Sequence, residues 1–152
     1  MANEIKDKYS ASAALTITLA SLANTAGRQS TIISNATPRY QDLLVFVKLK
    51  SNGTPTANAL YEIYLIRSDA DGTAHRSDGA GASDAAFTPV NAQLIGTVRC
   101  VGSASEVDYG EFLVSRPGPE WGIAVFNRSG QALTATAGDH WVRYVGLNPE
   151  IQ

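Results

Sequence analysis

Short runs rich in β-branched, aliphatic and aromatic residues follow one another from end to end of the chain, and no segment keeps a helical period. The runs are residues 15–19, 30–34, 43–50, 60–67, 94–101, 107–115, 121–127 and 141–145. Turn residues separate them: Asn52-Gly53 ahead of Pro55, Pro117-Gly118-Pro119, and Ser129-Gly130. Strands punctuated in this way, with no helices between them, bury their apolar faces by packing sheet on sheet. The expected fold is therefore all-β: a single-domain antiparallel β-sandwich, jelly-roll-like, with about eight strands. A chain of 152 residues suits one domain, and at that size a domain buries roughly 68–70% of its unfolded surface.

The phase of the apolar residues adds detail. Leu15, Ile17 and Leu19 alternate with Thr16 and Thr18, as in a half-buried strand. In 43–50 the odd positions Leu43, Val45, Val47 and Leu49 are all apolar, while the even ones change from Leu44 and Phe46 to Lys48 and Lys50. One end of that strand should be covered on both faces, by a loop or by another subunit, because a monomer's antiparallel sheet usually keeps one face wet. In 107–115 the apolar phase slips from Val107 and Tyr109 to Phe112 and Val114, which predicts a β-bulge at Gly110-Glu111. Two segments stand outside the strand rhythm. Residues 1–13 read as a polar N-terminal arm that orders against a partner, ahead of a sandwich domain over 14–152. Residues 68–92 read as a long exposed connection.

Charge excludes some functions. Twelve Lys and Arg against fourteen Asp and Glu, scattered along the chain, give a net charge of −2. Nucleic-acid binding requires a concentrated basic stripe, so no nucleic-acid partner is expected. The stretch 11–23 is broken by Ser and Thr and is too short to span a bilayer, and the mixed charges of residues 4–8 do not resemble a secretory signal. The expectation is a cytoplasmic product with no membrane partner. Cys100 is the only cysteine, which rules out an intramolecular disulfide and a CxxC pair.

Few residues offer chemistry. Asp69-Ala70-Asp71-Gly72, with Asp78 and Asp84 beyond, has the flavour of a calcium loop but lacks the EF-hand's third acidic position and its bidentate Glu, so an Asx turn is the simpler reading. His75 and His140 lie in distant segments with no metal or nucleophile spacing, and no GxSxG elbow is present. Cys100 shares even positions with Leu94 and Val98 and reads as a buried core residue. Trp121, Trp141, Tyr61, Tyr64, Tyr109 and Tyr144 fit either a core and its rim or, if two are exposed together, a sugar-stacking platform. No catalytic residue, metal ligand or cofactor-binding residue is assigned, and no enzyme activity is expected.

The stretch Leu15 to Ala23 with Gly27-Arg28-Gln29-Ser30 after it, and the closing run Glu120 to Leu133 continuing to Gly138-Asp139-His140-Trp141, resemble small virion structural proteins of tailed bacteriophages, of the capsid decoration or cement type. The likeness covers the first and last thirds of the chain and leaves 54–92 unplaced. It implies a β-sandwich that assembles as a homotrimer on the outer capsid surface and binds the major capsid protein or another virion protein. Related roles in tail, neck or head fibre, and a carbohydrate-binding or host-recognition module, are the alternatives. No functional residue transfers with the resemblance.

Overall fold

The computed structural model describes residues 5–71, 78 and 81–151. Eleven strands are present among them: β1 (Ile5–Tyr9), β2 (Ala13–Ala14), β3 (Gly27–Gln29), β4 (Ile33–Ser34), β5 (Asp42–Lys50), β6 (Leu60–Ser68), β7 (Ala85–Phe87), β8 (Gln93–Arg99), β9 (Val107–Ser115), β10 (Glu120–Arg128) and β11 (Trp141–Ile151). They form two antiparallel sheets. The first runs β1-β11-β5-β9 with β2 also on β11, and the second runs β7-β3-β10-β6-β8 with β4 also on β10. The chain is thus an all-β sandwich. Among the described residues no helix is long and apolar enough to cross a membrane.

The main core lies between the sheets and follows the period-2 rule. Leu43, Val45, Val47 and Leu49 of β5 and Val142 of β11 meet Tyr61, Ile63 and Leu65 of β6 and Trp121, Ile123 and Val125 of β10. Trp121 is fully buried and stands edge-on to Tyr144 from the opposite sheet, with ring centroids 4.8 Å apart. Residues 15–19 keep their alternation, with Leu15 and Leu19 buried, Ile17 packed against the core and Thr16 and Thr18 exposed. They are extended without being a ladder strand, because they carry the chain from one sheet to the other: Leu15 N–H donates to Val142 on the first sheet, and Thr16 accepts from Thr31 beside the second.

A second apolar cluster sits on the outer face of the second sheet. Ile66, Ala124 and Phe126 pack there with Phe87, Ile32, Tyr64 and Ala92. Phe87 and Ala92 belong to the 68–92 connection, which folds back over this face and contributes β7 to its edge. Gln29 fastens the connection by donating to the carbonyls of Gly81 and Ser83 at 3.0 and 2.8 Å. The segment therefore has secondary structure and a buried anchor, where a structureless connection was the expectation.

The predicted bulge is not in β9, which pairs with β5 in unbroken register from Val107 to Ser115. Val107 and Tyr109 point outward, and the even residues Asp108, Gly110, Phe112 and Val114 point inward. The phase slip in the sequence records an apolar outer face. A register shift occurs instead in β8, where Ile63 pairs with Gly96 and Tyr64 with Leu94, leaving Ile95 over. Ile95 packs against the core and Leu94 turns out, 49% exposed. This corrects the expectation that Leu94 shares a buried face with Val98 and Cys100.

Residues 5–13 lie along the chain's own β11. Ile5–Tyr9 pairs with Leu147 through Ile151, Ser10 exchanges bonds with Gly146, and Ala13–Ala14 pairs with Tyr144 and Arg143. The β5 ladder on β11 ends at Leu147, so β1 and the last residues of β11 form a two-stranded ribbon. All five residues of β1 are exposed.

Candidate interaction surface

The outer face of the first sheet can be written rung by rung, since residues in register share a face. Tyr109, Lys48 and Trp141 form one rung across β9, β5 and β11. Glu111, Phe46 and Arg143 form the next, then Leu113, Leu44 and Val145, then Ser115, Asp42 and Leu147. Tyr9 of β1 continues the last rung. A sheet face wet on both ends of each rung would carry polar residues at most of these positions; here more than half are apolar or aromatic. Tyr109 is 66% exposed and Leu113 62%, while Leu44, Phe46, Trp141, Val145 and Leu147 are half-buried by one another. None of these residues belongs to either core cluster.

The two sheets therefore differ in one respect. The apolar outer face of the second is roofed by 81–92, and the apolar outer face of the first has no roof among the described residues. The expected double covering of β5 at Leu44 and Phe46 is not supplied by a loop among the described residues.

The charges on the open face have definite positions. Lys50 pairs with Asp139 at 3.2 Å, and Lys48 Nζ leans to the Gly138 carbonyl at 3.5 Å. The Arg143 guanidinium stacks 5.0 Å from the Trp141 ring centre, and the Tyr109 and Trp141 rings lie 6.4 Å apart, inclined by 57°. Neither Glu111 nor Arg143 has an ion-pair partner among the described residues.

The ribbon end of the sandwich holds an open cleft of about 830 Å³. Asn35 builds one wall by donating to the carbonyls of Tyr40 and Gly118 and accepting from Tyr40 N–H. Arg39 and Arg116, both left-handed at φ 50°, flank the opening, and Asp42 faces it. A smaller hollow of about 270 Å³ lies between Lys8, Tyr9, Ser10, Tyr40 and Asn148 at the foot of the ribbon.

The candidates from sequence do not converge on a reacting centre. Asp71 N–H donates to Asp69 Oδ1 at 3.0 Å, which is an Asx turn. Asp78 accepts from the backbone of Asn91 and Ala92, and Asp84 binds Arg28 and Thr18. Asp84 thus pins the 68–92 connection to the sandwich, and Asp78 ties the connection to its own far end. Gly72 and His75 lie outside the described residues. His140 is buried where the 3₁₀ turn Ala137–Asp139 meets β11, accepting from Lys50 N–H at Nδ1 (3.3 Å) with Nε2 3.0 Å from the Thr134 carbonyl. Burial holds its pKa below the usual histidine value, against the Thr134 bond and the Asp139 charge. Cys100 is fully buried beside Val98, and burial pushes its thiol up to about 11. Trp121 and Tyr61 are core residues, and Tyr109 and Trp141 are the aromatic pair on the open face.

One polar group escaped the sequence reading. Asp108 is buried at an inward position of β9, and no N–H or hydroxyl donor among the described residues reaches its Oδ2. Burial first, then the neighbouring Glu106, raises its pKa to about 7. Glu106 goes the other way, to about 2, because it accepts from protonated Asp108 and from the backbone N–H groups of Val101, Gly102 (2.7 Å) and Ser103 (2.9 Å). The alternation of 107–115 could have shown Asp108 facing inward, had the outward phase of Val107 been recognised.

Neither a protein-family model nor a curated protein matches this chain.

Proposed function

We propose that this chain is a non-enzymatic structural protein of a tailed-phage particle, a capsid decoration or cement protein. It is made in the host cytoplasm, forms a homotrimer, and binds the major capsid protein on the outer capsid surface. The observation that carries this reading is the unroofed apolar face of the first sheet, of the size and kind that mark a protein-binding surface. The ribbon adds support: an isolated two-stranded ribbon is marginally stable in water, and this one gains by lying against a neighbour. The connectivity also supports reading the sandwich as a jelly roll. With β2, β4 and β7 set aside, the chain visits β1-β11-β5-β9 and β3-β10-β6-β8 in the order of two interleaved Greek keys, an architecture used by capsid proteins and by lectins.

The lectin branch keeps a second reading alive, because Tyr109 and Trp141 stand side by side on an open surface. Their 57° inclination makes a poorer sugar platform than coplanar rings would. Quantitative mass spectrometry of purified particles separates the two. The expected outcome is a fixed, integral ratio of this chain to the major capsid protein. Absence from particles, together with glycan binding abolished by Trp141→Ala, would replace the structural reading with the carbohydrate one.

A further inference from the structure

We infer that the occupant of the open face is a second copy of this chain, with β9 of one copy laid over β11 of the next. The inference rests on the reading that the domain acts through protein contacts, and not on which particle it serves.

The rungs carry the argument. In the central one, Glu111 on β9 and Arg143 on β11 stand on either side of Phe46, two strand spacings apart, and neither has an ion-pair partner among the described residues. Laying β9 of one copy on β11 of another sets Glu111 against Arg143 and, in the same register, Leu113 against Val145 and Tyr109 against Trp141. Each of these three pairs is complementary: opposite charges, aliphatic on aliphatic, ring on ring. On the three strands β9, β5 and β11 the most exposed apolar side chains, Tyr109 and Leu113, both lie on β9, the edge of the sheet. The cations that would oppose such a contact are held aside, Lys50 by Asp139 and Lys48 toward Gly138.

The area is of the order a specific interface uses, at the lower end of its range. From standard strand spacing and rise, four strands with β11 as the longest offer a footprint of roughly 700 Å². A stable interface removes about 800 Å² from each partner. The contact closes either as a two-fold, which uses every pair twice, or as a ring in which the β9 edge of each copy meets the face of the next. A ring of three is the form consistent with a homotrimer.

Sedimentation equilibrium of the full chain over a micromolar range tests the contact, with Glu111→Arg, Arg143→Glu and the double swap E111R/R143E beside the wild type. Both residues are exposed, so equal thermal unfolding profiles confirm that the variants fold. The wild type is expected to form a closed oligomer. Each single reversal should weaken association by about tenfold or more, and the double swap should restore most of it. A wild type that stays monomeric overturns the inference, as do single reversals without effect or a double swap no better than the singles. A monomer found at fixed ratio on particles would refute this contact and leave the structural function standing. A self-associating chain absent from particles would do the reverse.

Discussion

Asp108 is the residue whose chemistry departs furthest from its surroundings: a carboxyl at an inward position of a sandwich, kept protonated up to about pH 7 because burial disfavours its charge and Glu106 holds the charge of the pair. Its folded pKa is raised from 3.8 to about 7. The native state therefore binds the proton more tightly than the unfolded chain, and the contribution is complete below pH 3.8 and lost as pH rises through 7. Asp108→Asn, which stays neutral, should unfold at nearly the same temperature as the wild type at pH 4. It should gain on the order of 1–3 kcal/mol over the wild type by pH 8. Parallel melting curves for the two proteins across that range would show that the pair does not share a proton. Cys100 lies in the same region of the core. Because it is fully buried and its thiol is pushed up to about 11, a thiol reagent should label it only when the domain opens. Labelling at the rate of a model thiol would contradict that placement.

At the scale of elements, the corner where β8 and β9 approach depends on two glycines. The Phe112 ring lies against Gly96 of β8, where a Cβ would overlap it, and within 2.9 Å of the place a Cβ would occupy on Gly110. Gly96→Ala should cost roughly 1–3 kcal/mol by overpacking, read as a lower denaturant midpoint with unchanged slope. The ribbon behaves in the opposite way. Since β1 is exposed along its length and the core begins at Leu15, deleting residues 1–13 should leave a folded sandwich with little loss of stability. Its effect should appear in assembly, as lower occupancy on particles. Full occupancy by the truncated chain would make the ribbon incidental. In the 68–92 connection, Asp78 and Asp84 are engaged by protein donors, so chelator should leave the melting temperature unchanged. A fall of several degrees, reversed by calcium, would reopen the metal reading of Asp69-Ala70-Asp71-Gly72.

For the whole molecule, the asymmetry between the sheets is the feature with consequences. Both have apolar outer faces, and the chain spends one long connection on roofing the second. If the proposed self-contact covers the first, the stability of the domain should rise with protein concentration. Shells mixed with the intact protein should resist heating better than bare shells, and shells mixed with a Leu113→Glu variant should gain less. Equal protection by the two would show that shell protection does not depend on the self-contact proposed for this face.

The alternation of residues in 43–50 and 60–67, with the apolar run 121–127, was enough to determine an all-β sandwich and most of its core, because a period of two sorts side chains between a wet and a dry face wherever one face is wet. That condition fails on β10, on β9 and on the even side of β5. There both faces are apolar, alternation loses its meaning, and Val107 and Tyr109 read as a bulge when they belong to an exposed surface. The short strands β1, β3 and β7 were illegible for a related reason. Each is held by pairing with a distant partner, β11, β10 or β3, and not by any local pattern of its own. Which apolar face is roofed and which is open was decided only in the tertiary structure, by where the 68–92 connection folds back. That depends on Phe87 and Asp84 finding their sites and on Gln29 reaching Gly81 and Ser83, contacts between residues far apart in the chain that no local spacing encodes.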